Sequence, residues 1–416
     1  MKRRQLIKGI LATGALSMVN NVDAMNLLVN DDFWSNIRNS FPKKSEYINL
    51  LNTGGGAVSN ATLELLSKYQ EITAGGGENK TQALNSLKES GSSQSLRQLM
   101  ANTFGCSSNE IALTRNAMEG LVTGLLGLDL DKNDEIITTN ADYDSCIRII
   151  EQREKRDNIR LKLIDIPMHA KNDDEVVSAF ENSCTNKTKV ILMCHMFNKN
   201  GQILPIRRIC EMAKKKGITT IVDGAQSIGQ IDFKISELGC DIFSASLHKW
   251  FYAPKGTGIL YVRKDSIENV WPIYASWSGK PNNSIEKFEE YGTVSKAISA
   301  SLPSVFEFNQ KIGIERKEKR LRYLRDLWLN EILKSDRVRL LTNPKKSCAI
   351  TAFKIEGINP NVFSKELYDK HKISIGSIHL QDKPNFKGNY LAADLTNSEE
   401  EIYKFIEVFK AYIKQN

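Results

Sequence analysis

Between about residues 95 and 262 the chain alternates short, almost wholly apolar runs with amphipathic stretches charged on one face. No other feature constrains the fold as much. The runs are EIITT (135–139), LKLIDI (161–166), KVILMCH (189–195), ITTIVD (218–223), DIFSAS (241–246) and GILYV (258–262). Apolar runs with no polar alternation are strands covered on both faces, and segments such as IRIIEQREKR (147–156) and PIRRICEMAKKKG (205–217) supply the covering helices. The expectation is an α/β protein whose large domain holds a mostly parallel sheet covered by helices. Sheets of this kind bind ligands at the carboxyl ends of their strands, so the residues following each run are the ones to search.

After Gly313 the pattern changes. A long helix, ERKEKRLRYLRDLWLNEIL, leads to a strand (348–355), a helix (361–370), short strands near 373 and 391, and a closing helix, which together read as a smaller α+β domain. The domains are therefore expected at 25–312, an N-terminal arm with the large domain, and 313–416. Residues 1–24 stand apart as a signal peptide. The basic MKRRQLIKG precedes a weakly apolar ILATGALSMV and then Val22-Asp23-Ala24, which suits cleavage after Ala24. Arg3-Arg4, followed by Gln5, Leu6, Ile7 and Lys8, resembles a twin-arginine export signal, and the apolar run is too short for a permanent membrane span. The expected location is periplasmic or secreted, reached folded through the twin-arginine export machinery; without a functional signal it is cytoplasmic.

Charge and cysteines narrow the chemistry. The formal net charge of +8 falls to +5 once residues 1–24 are removed, and the one dense basic tract left, 316–325, fits a helical face. Nucleic acid is not an expected partner. The seven cysteines (106, 146, 184, 194, 210, 240 and 348) contain no C-x-x-C pair, so neither a zinc cage nor a disulfide framework is signalled.

The chemistry concentrates in IVDGAQSIGQ…CDIFSASLHKWFYAPKGTGILYV, residues 221–262. Asp223 ends one apolar strand, where a carboxylate is costly unless it faces a cation. Lys249 follows another, with His248 beside it and Ser246 three positions earlier. A partly buried lysine at the mouth of a parallel sheet, opposite a carboxylate, is suited to Schiff-base chemistry, because burial lowers its pKa and leaves the amine nucleophilic. Pyridoxal 5'-phosphate needs such a lysine, an acid for its pyridine nitrogen, and hydroxyl or amide donors for its phosphate.

The order D-G-A-Q (223–226), then S-L-H-K, six residues, and G-T-G-I-L-Y-V (246–262) resembles the class V aminotransferase family of fold-type I pyridoxal-phosphate enzymes. Isopenicillin N epimerase-like and cysteine desulfurase-like members are nearest. Leu247 departs from the small residue usual there. The resemblance implies the fold-type I architecture and gives Lys249 the cofactor and the proton at the substrate carbon. It gives Asp223 the pyridine nitrogen, Gln226 and Asn198 the region of the phenolic oxygen, and Ser246 and His248 the phosphate. ALTRNAMEG (112–120) resembles a segment whose helix N-terminus receives the phosphate through the amides of Ala117 and Met118, with Met118 in place of a threonine. Tyr143 falls either where a ring stacks on the cofactor or simply at the start of a helix. Gly292-Thr293 resembles a segment lending its threonine to the phosphate of a second subunit, which implies a homodimer with shared active sites.

Two departures bear on the substrate. ISIGSIHLQDK (373–383) has no cysteine where desulfurases carry their nucleophile. Registering on TNSEEEI (396–402) puts Tyr390 where many members have an arginine that forks onto the substrate carboxylate, and tyrosine has neither the charge nor the fork. Either the register differs, or carboxylate binding has moved (Arg115 and Arg97 being candidates), or the amine does not belong to a free α-amino acid. The expected activity is that of an aminotransferase- or epimerase-like enzyme acting on a small-molecule or peptide amine. The alternatives are a desulfurase-like C–S lyase and a non-catalytic relative that still binds the cofactor.

Overall fold

The structure, a computed structural model, describes residues 31–43, 46–74, 95–275, 279–380 and 383–416, so the signal-like segment 1–24 lies outside the described residues. At the amino end come α1 (Asp31–Asn39), β1 (Ile48–Asn49), α2 (Asn60–Ala74) and α3 (Leu96–Phe104). The alternating region begins with β2 (Ile111–Thr114), α4 (Ala117–Gly127), β3 (Glu135–Thr139), α5 (Asp144–Asp157), β4 (Arg160–Ile164) and α6 (Asp173–Ser183). It continues through β5 (Thr188–Cys194), α7 (Ile206–Lys215), β6 (Thr219–Asp223), α8 (Ile235–Leu238), β7 (Ile242–Ser246) and β8 (Gly258–Val262). Two long helices, α9 (Lys296–Ile312) and α10 (Ile314–Ile332), lead to the last part of the chain. There lie β9 (Val338–Leu340), β10 (Ile350–Ile355), α11 (Pro360–His371), β11 (Ile373–Ser374), β12 (Gly376–Leu380), β13 (Lys383–Ala392) and α12 (Glu399–Gln415).

Seven strands form the main sheet in the order β2-β8-β7-β6-β5-β3-β4. From β7 to β4 all neighbours are parallel, whereas β8 and β2 run antiparallel at one edge. Every residue of β7 and β8 is buried, as expected of strands covered on both faces, while the edge strand β4 is largely open. Each fully buried Ile, Val, Leu or Phe contributes about 1.5–3 kcal/mol of transfer free energy. The sheet's two faces therefore anchor the strand ends that form the site.

Helix α4 lies unusually close to this sheet because its inner face is glycine. A Cβ on Gly120 would sit 2.2 Å from Ser244 Oγ, and one on Gly124 would be 3.2 Å from Ile242. The close approach brings the first turn of α4 to the end of β7.

A second sheet, β12-β13-β10-β9, is antiparallel throughout and packs its own core of Trp328, Phe353, Phe363, Phe405 and Phe409. β1, although early in the chain, pairs in parallel with β11, and Leu51 bridges to Ala392.

Candidate active site

The parallel strands end in register. Asp223 is level with Cys194 on β5 and Ser244 on β7, so the residues just beyond these positions share one rim. Asp142, after β3, fastens that rim: its carboxylate accepts from the Thr138 and Thr139 hydroxyls, from the Thr139 N–H, and from the Cys194 N–H at 2.7 Å.

Asp223 is 7 % exposed, and its Oδ1 accepts the Ala225 N–H at 2.8 Å. Burial pushes its carboxyl above the usual carboxylate range, and the positive charge of Lys249 draws it back. Lys249 answers in kind: burial lowers its amine and the Asp223 carboxylate raises it. Among the described residues the Lys249 amine makes neither a hydrogen bond nor an ion pair. It is a mostly buried amine beside the Asp223 carboxylate, the arrangement a carbonyl-condensing lysine requires.

Around Lys249 the chain is tightly packed. Thr53-Gly54-Gly55-Gly56, a loop that the sequence marks only by its glycines, runs against it: the Gly56 N–H donates to the His248 carbonyl at 2.8 Å. A Cβ on Gly56 would lie 2.1 Å from the Lys249 carbonyl oxygen, so only glycine fits. The buried Gln226 donates from Nε2 to the Thr53 carbonyl (3.0 Å) and accepts the Trp250 indole N–H on Oε1 (2.8 Å), which leaves one amide hydrogen over.

The start of α4 is the candidate anion site. Asn116 caps the helix by accepting the Glu119 N–H, and the Ala117 N–H donates to Ser246 Oγ at 2.9 Å. The Ala117 amide is thus held by Ser246, whose hydroxyl hydrogen is free to donate outward, and the Met118 N–H is the amide that the cap leaves over. His248 lies 3.3 Å through Nδ1 from the Thr257 carbonyl, and burial lowers its pKa.

The remaining candidates are placed as follows. Asn198 sits half-buried in the loop after β5. Tyr143 is 41 % exposed at the start of α5, where its side chain makes no capping bond. Thr293 is exposed in the segment leading to α9. Arg97 is committed to Glu286 and Glu289, and Arg115 to Glu119 and the Tyr274 hydroxyl. Neither presents a free fork to a carboxylate. Tyr390 packs flat against Gly376, where a Cβ would meet its ring at 2.1 Å, and its hydroxyl faces the Thr53 side chain. The tyrosine of β13 thereby reaches the same loop that covers Lys249.

Residues the sequence reading passed over are Asp142, Thr53, Trp250, Asn309 and Lys317. For Asp142 the T-T-x-x-D turn after a strand was a usable signal. The others act through contacts from distant elements, which no local pattern records.

Comparison with known proteins bears on the family and the fold. The family described as Aminotransferase class-V matches residues 48–381. Isopenicillin N epimerase of Amycolatopsis lactamdurans is 24 % identical over 76 % of this chain and 84 % of its own. A probable cysteine desulfurase of Halalkalibacterium halodurans is 26 % identical over 84 % and 89 %. The solved cysteine desulfurase of Thermococcus onnurineus superposes with a TM-score of 0.79 at 23 % identity, covering 92 % of this chain and 98 % of that one. A cystine C–S lyase in complex with cysteine persulfide gives 0.77 at 21 %, covering 88 % and 97 %.

Proposed function

Because the chain belongs to the class V aminotransferases, a family of pyridoxal-phosphate-dependent enzymes, we propose that it acts at the amine-bearing carbon of a small molecule or peptide, with Lys249 as the cofactor lysine. The observation that carries this reading is the bare, buried amine of Lys249 facing Asp223 at the strand ends. The residues fit the group: a glycine loop that no side chain could replace, an anion site at the start of α4, and a carboxylate placed among apolar strands. When bound, pyridoxal phosphate supplies an aldehyde for the substrate amine and an electron sink for charge at the adjacent carbon.

The chain's own residues supply the rest. Asp223, with the positive charge of Lys249 opposing the effect of burial on its carboxyl, would hold a proton on the ring nitrogen. The spare amide hydrogen of Gln226, together with Asn198, would serve the phenolic oxygen. The Met118 N–H, the Ser246 hydroxyl and His248 hold the phosphate, joined by Thr293 from a second copy of the chain. Tyr143, at the start of α5, would supply an aromatic face for the ring. The Lys249 amine would move the proton at the substrate carbon.

Arg97 and Arg115 are paired with carboxylates and Tyr390 lies on the loop side, so none of the three positions weighed for a free α-carboxylate presents an unpaired guanidinium fork. This supports a substrate whose amine belongs to a peptide or to another uncharged setting. The first 24 residues support export by the twin-arginine route. Carrying Arg3→Lys with Arg4→Lys should leave the precursor in the cytoplasm, and normal processing would sink that part of the reading.

A second reading, C–S bond cleavage without a protein nucleophile, is favoured by the likeness to the cystine C–S lyase and by a carboxyl-terminal region with no cysteine after Cys348. One experiment separates the two. Holoenzyme is mixed in turn with amines, short peptides, cysteine and cystine, while the cofactor spectrum and sulfide release are followed. A cofactor spectrum converted by amines or peptides, with no sulfide, supports the leading reading. Sulfide release from cysteine or cystine alone overturns it in favour of the second.

A further inference from the structure

Lys249 is carried on the loop 247–257 between β7 and β8, and this loop is held in an uncommon shape. The Leu247 N–H donates to the Thr257 carbonyl and the Ala253 N–H to the Leu247 carbonyl, each at 3.1 Å. Between them Tyr252, a buried aromatic residue, adopts a φ of 61°, in the left-handed region that side chains rarely occupy. Such backbone is disfavoured by about 1–3 kcal/mol and persists only where its surroundings hold it.

Here the surroundings are two side chains from α9 and α10. The three carbonyls from Lys249 onward each receive a donor. That of Lys249 takes the Tyr252 N–H at 3.2 Å, that of Trp250 takes the Lys317 ammonium, and that of Phe251 takes Asn309 Nδ2 at 2.8 Å. Lys317 also donates to Asn309 Oδ1 at 2.9 Å, and its nitrogen lies 4.4 Å from the centre of the Tyr252 ring. It is 1 % exposed, with Asp394 and Cys348 as the other polar groups acting on it. An ammonium this deeply buried is unfavourable unless its protons are used. These are used on the turn that follows Lys249. The same turn positions Trp250, whose indole fixes Gln226.

We propose that Lys317 is a positioning residue for the reaction: its ammonium, with Asn309, holds the turn that presents Lys249 and, through Trp250, the amide of Gln226. The proposal rests on the reading of Lys249 as the cofactor lysine. It assigns Lys317 no contact with cofactor or substrate.

The test uses the apoprotein of the full chain and pyridoxal phosphate as the probe. The rate at which the visible band of lysine-bound cofactor forms, and the wavelength of that band, are measured for Lys317→Met, Lys317→Arg and Asn309→Ala. Near-ultraviolet circular dichroism and melting report folding in parallel. Displacing a reacting amine by a fraction of an ångström to an ångström slows capture on the order of tenfold or more. That slowing, with a shifted band, is expected for Lys317→Met and in lesser degree for Asn309→Ala, and Lys317→Arg should restore most of the rate. A folded Lys317→Met that captures cofactor at the parent rate with the parent band overturns the proposal. If Lys317→Met does not fold, parent-like capture by Asn309→Ala overturns it instead. Lys249→Ala, run alongside, separates the two claims: a borohydride-reducible band surviving in that variant removes the cofactor lysine itself, whereas its loss with Lys317→Met unaffected removes only the positioning role.

Discussion

Among the described residues burial pushes the amines of Lys249, Lys287 and Lys317 below the ordinary range, and Lys249 and Lys317 differ most in what their protons do. Lys317 is the more buried, brought down to about 7, and its protons are committed to Trp250 and Asn309. Lys249 faces a carboxylate and is bonded to nothing among the described residues. Burial alone therefore does not mark the chemical lysine. What marks it is an amine whose desolvation is offset by a charge nearby rather than by hydrogen bonds, because only the first leaves the lone pair available after deprotonation.

The sharpest way to break this contrast is to remove the Lys249 amine. Lys249→Ala should abolish the dialysis-resistant cofactor band and lower turnover on the order of 10²–10⁴-fold through loss of proton transfer alone; a retained band would make some other lysine the reactive one. Next, Asp223→Asn removes the charge that holds the Lys249 pKa up. The pH profile of cofactor capture should then move to lower pH, as the free amine persists in more acid solution. An unmoved profile would mean that the two groups are not coupled.

Gly56→Ala tests the packing around the lysine. Its methyl would collide with the Lys249 carbonyl, which should destabilise the fold by about 1–3 kcal/mol in chemical denaturation and weaken cofactor retention. Ser246→Ala should cost about 1 kcal/mol by stranding the Ala117 N–H, and should raise the concentration of pyridoxal phosphate needed for saturation.

The smallest effect concerns Lys317. Its pKa is about 7 in the folded chain and ordinary in the unfolded one, so between pH 7 and 10 the unfolded chain binds more protons and stability should rise with pH. Lys249 contributes with the same sign. The readout is therefore the difference in slope between parent and Lys317→Met, which should be flatter.

The main sheet was legible because strands buried on both faces cannot hide: all six apolar runs end within two residues of an observed strand end, and EIITT and GILYV coincide with β3 and β8. Among the described strands, β1, β2, β9 and β12 were not read from the pattern. IALT forms β2 at the antiparallel edge, but four residues carry too little periodicity to declare themselves. β12 and most of β13 are polar enough to read as loop, and only the end near 391 showed. The site divides the same way. Asp223, Gln226, Ser246 and Lys249 lie within one short stretch, where sequence order and spatial order agree. Thr53, Tyr390, Asn309 and Lys317 reach the same spot from other elements, and their placement follows from packing that no window of sequence contains.

The pairing of β1 with β11 has a consequence for the order in which this protein can be completed. Asn52 donates to the Ala392 carbonyl at 2.9 Å and lies 3.2 Å from Asn397 Oδ1, partners more than 300 positions away along the chain. The glycine loop that follows Asn52 is tied to the Lys249 turn at its far end. During synthesis the main sheet can gather as its strands emerge, but Asn52, where this loop begins, lacks its partners at Ala392 and Asn397 until the last strand leaves the ribosome. Contacts of such long separation form late, because the loop they close must be ordered first. The cofactor pocket is thus the final part of the molecule to close, and a nascent chain lacking its last strand would carry the reactive lysine with one wall missing.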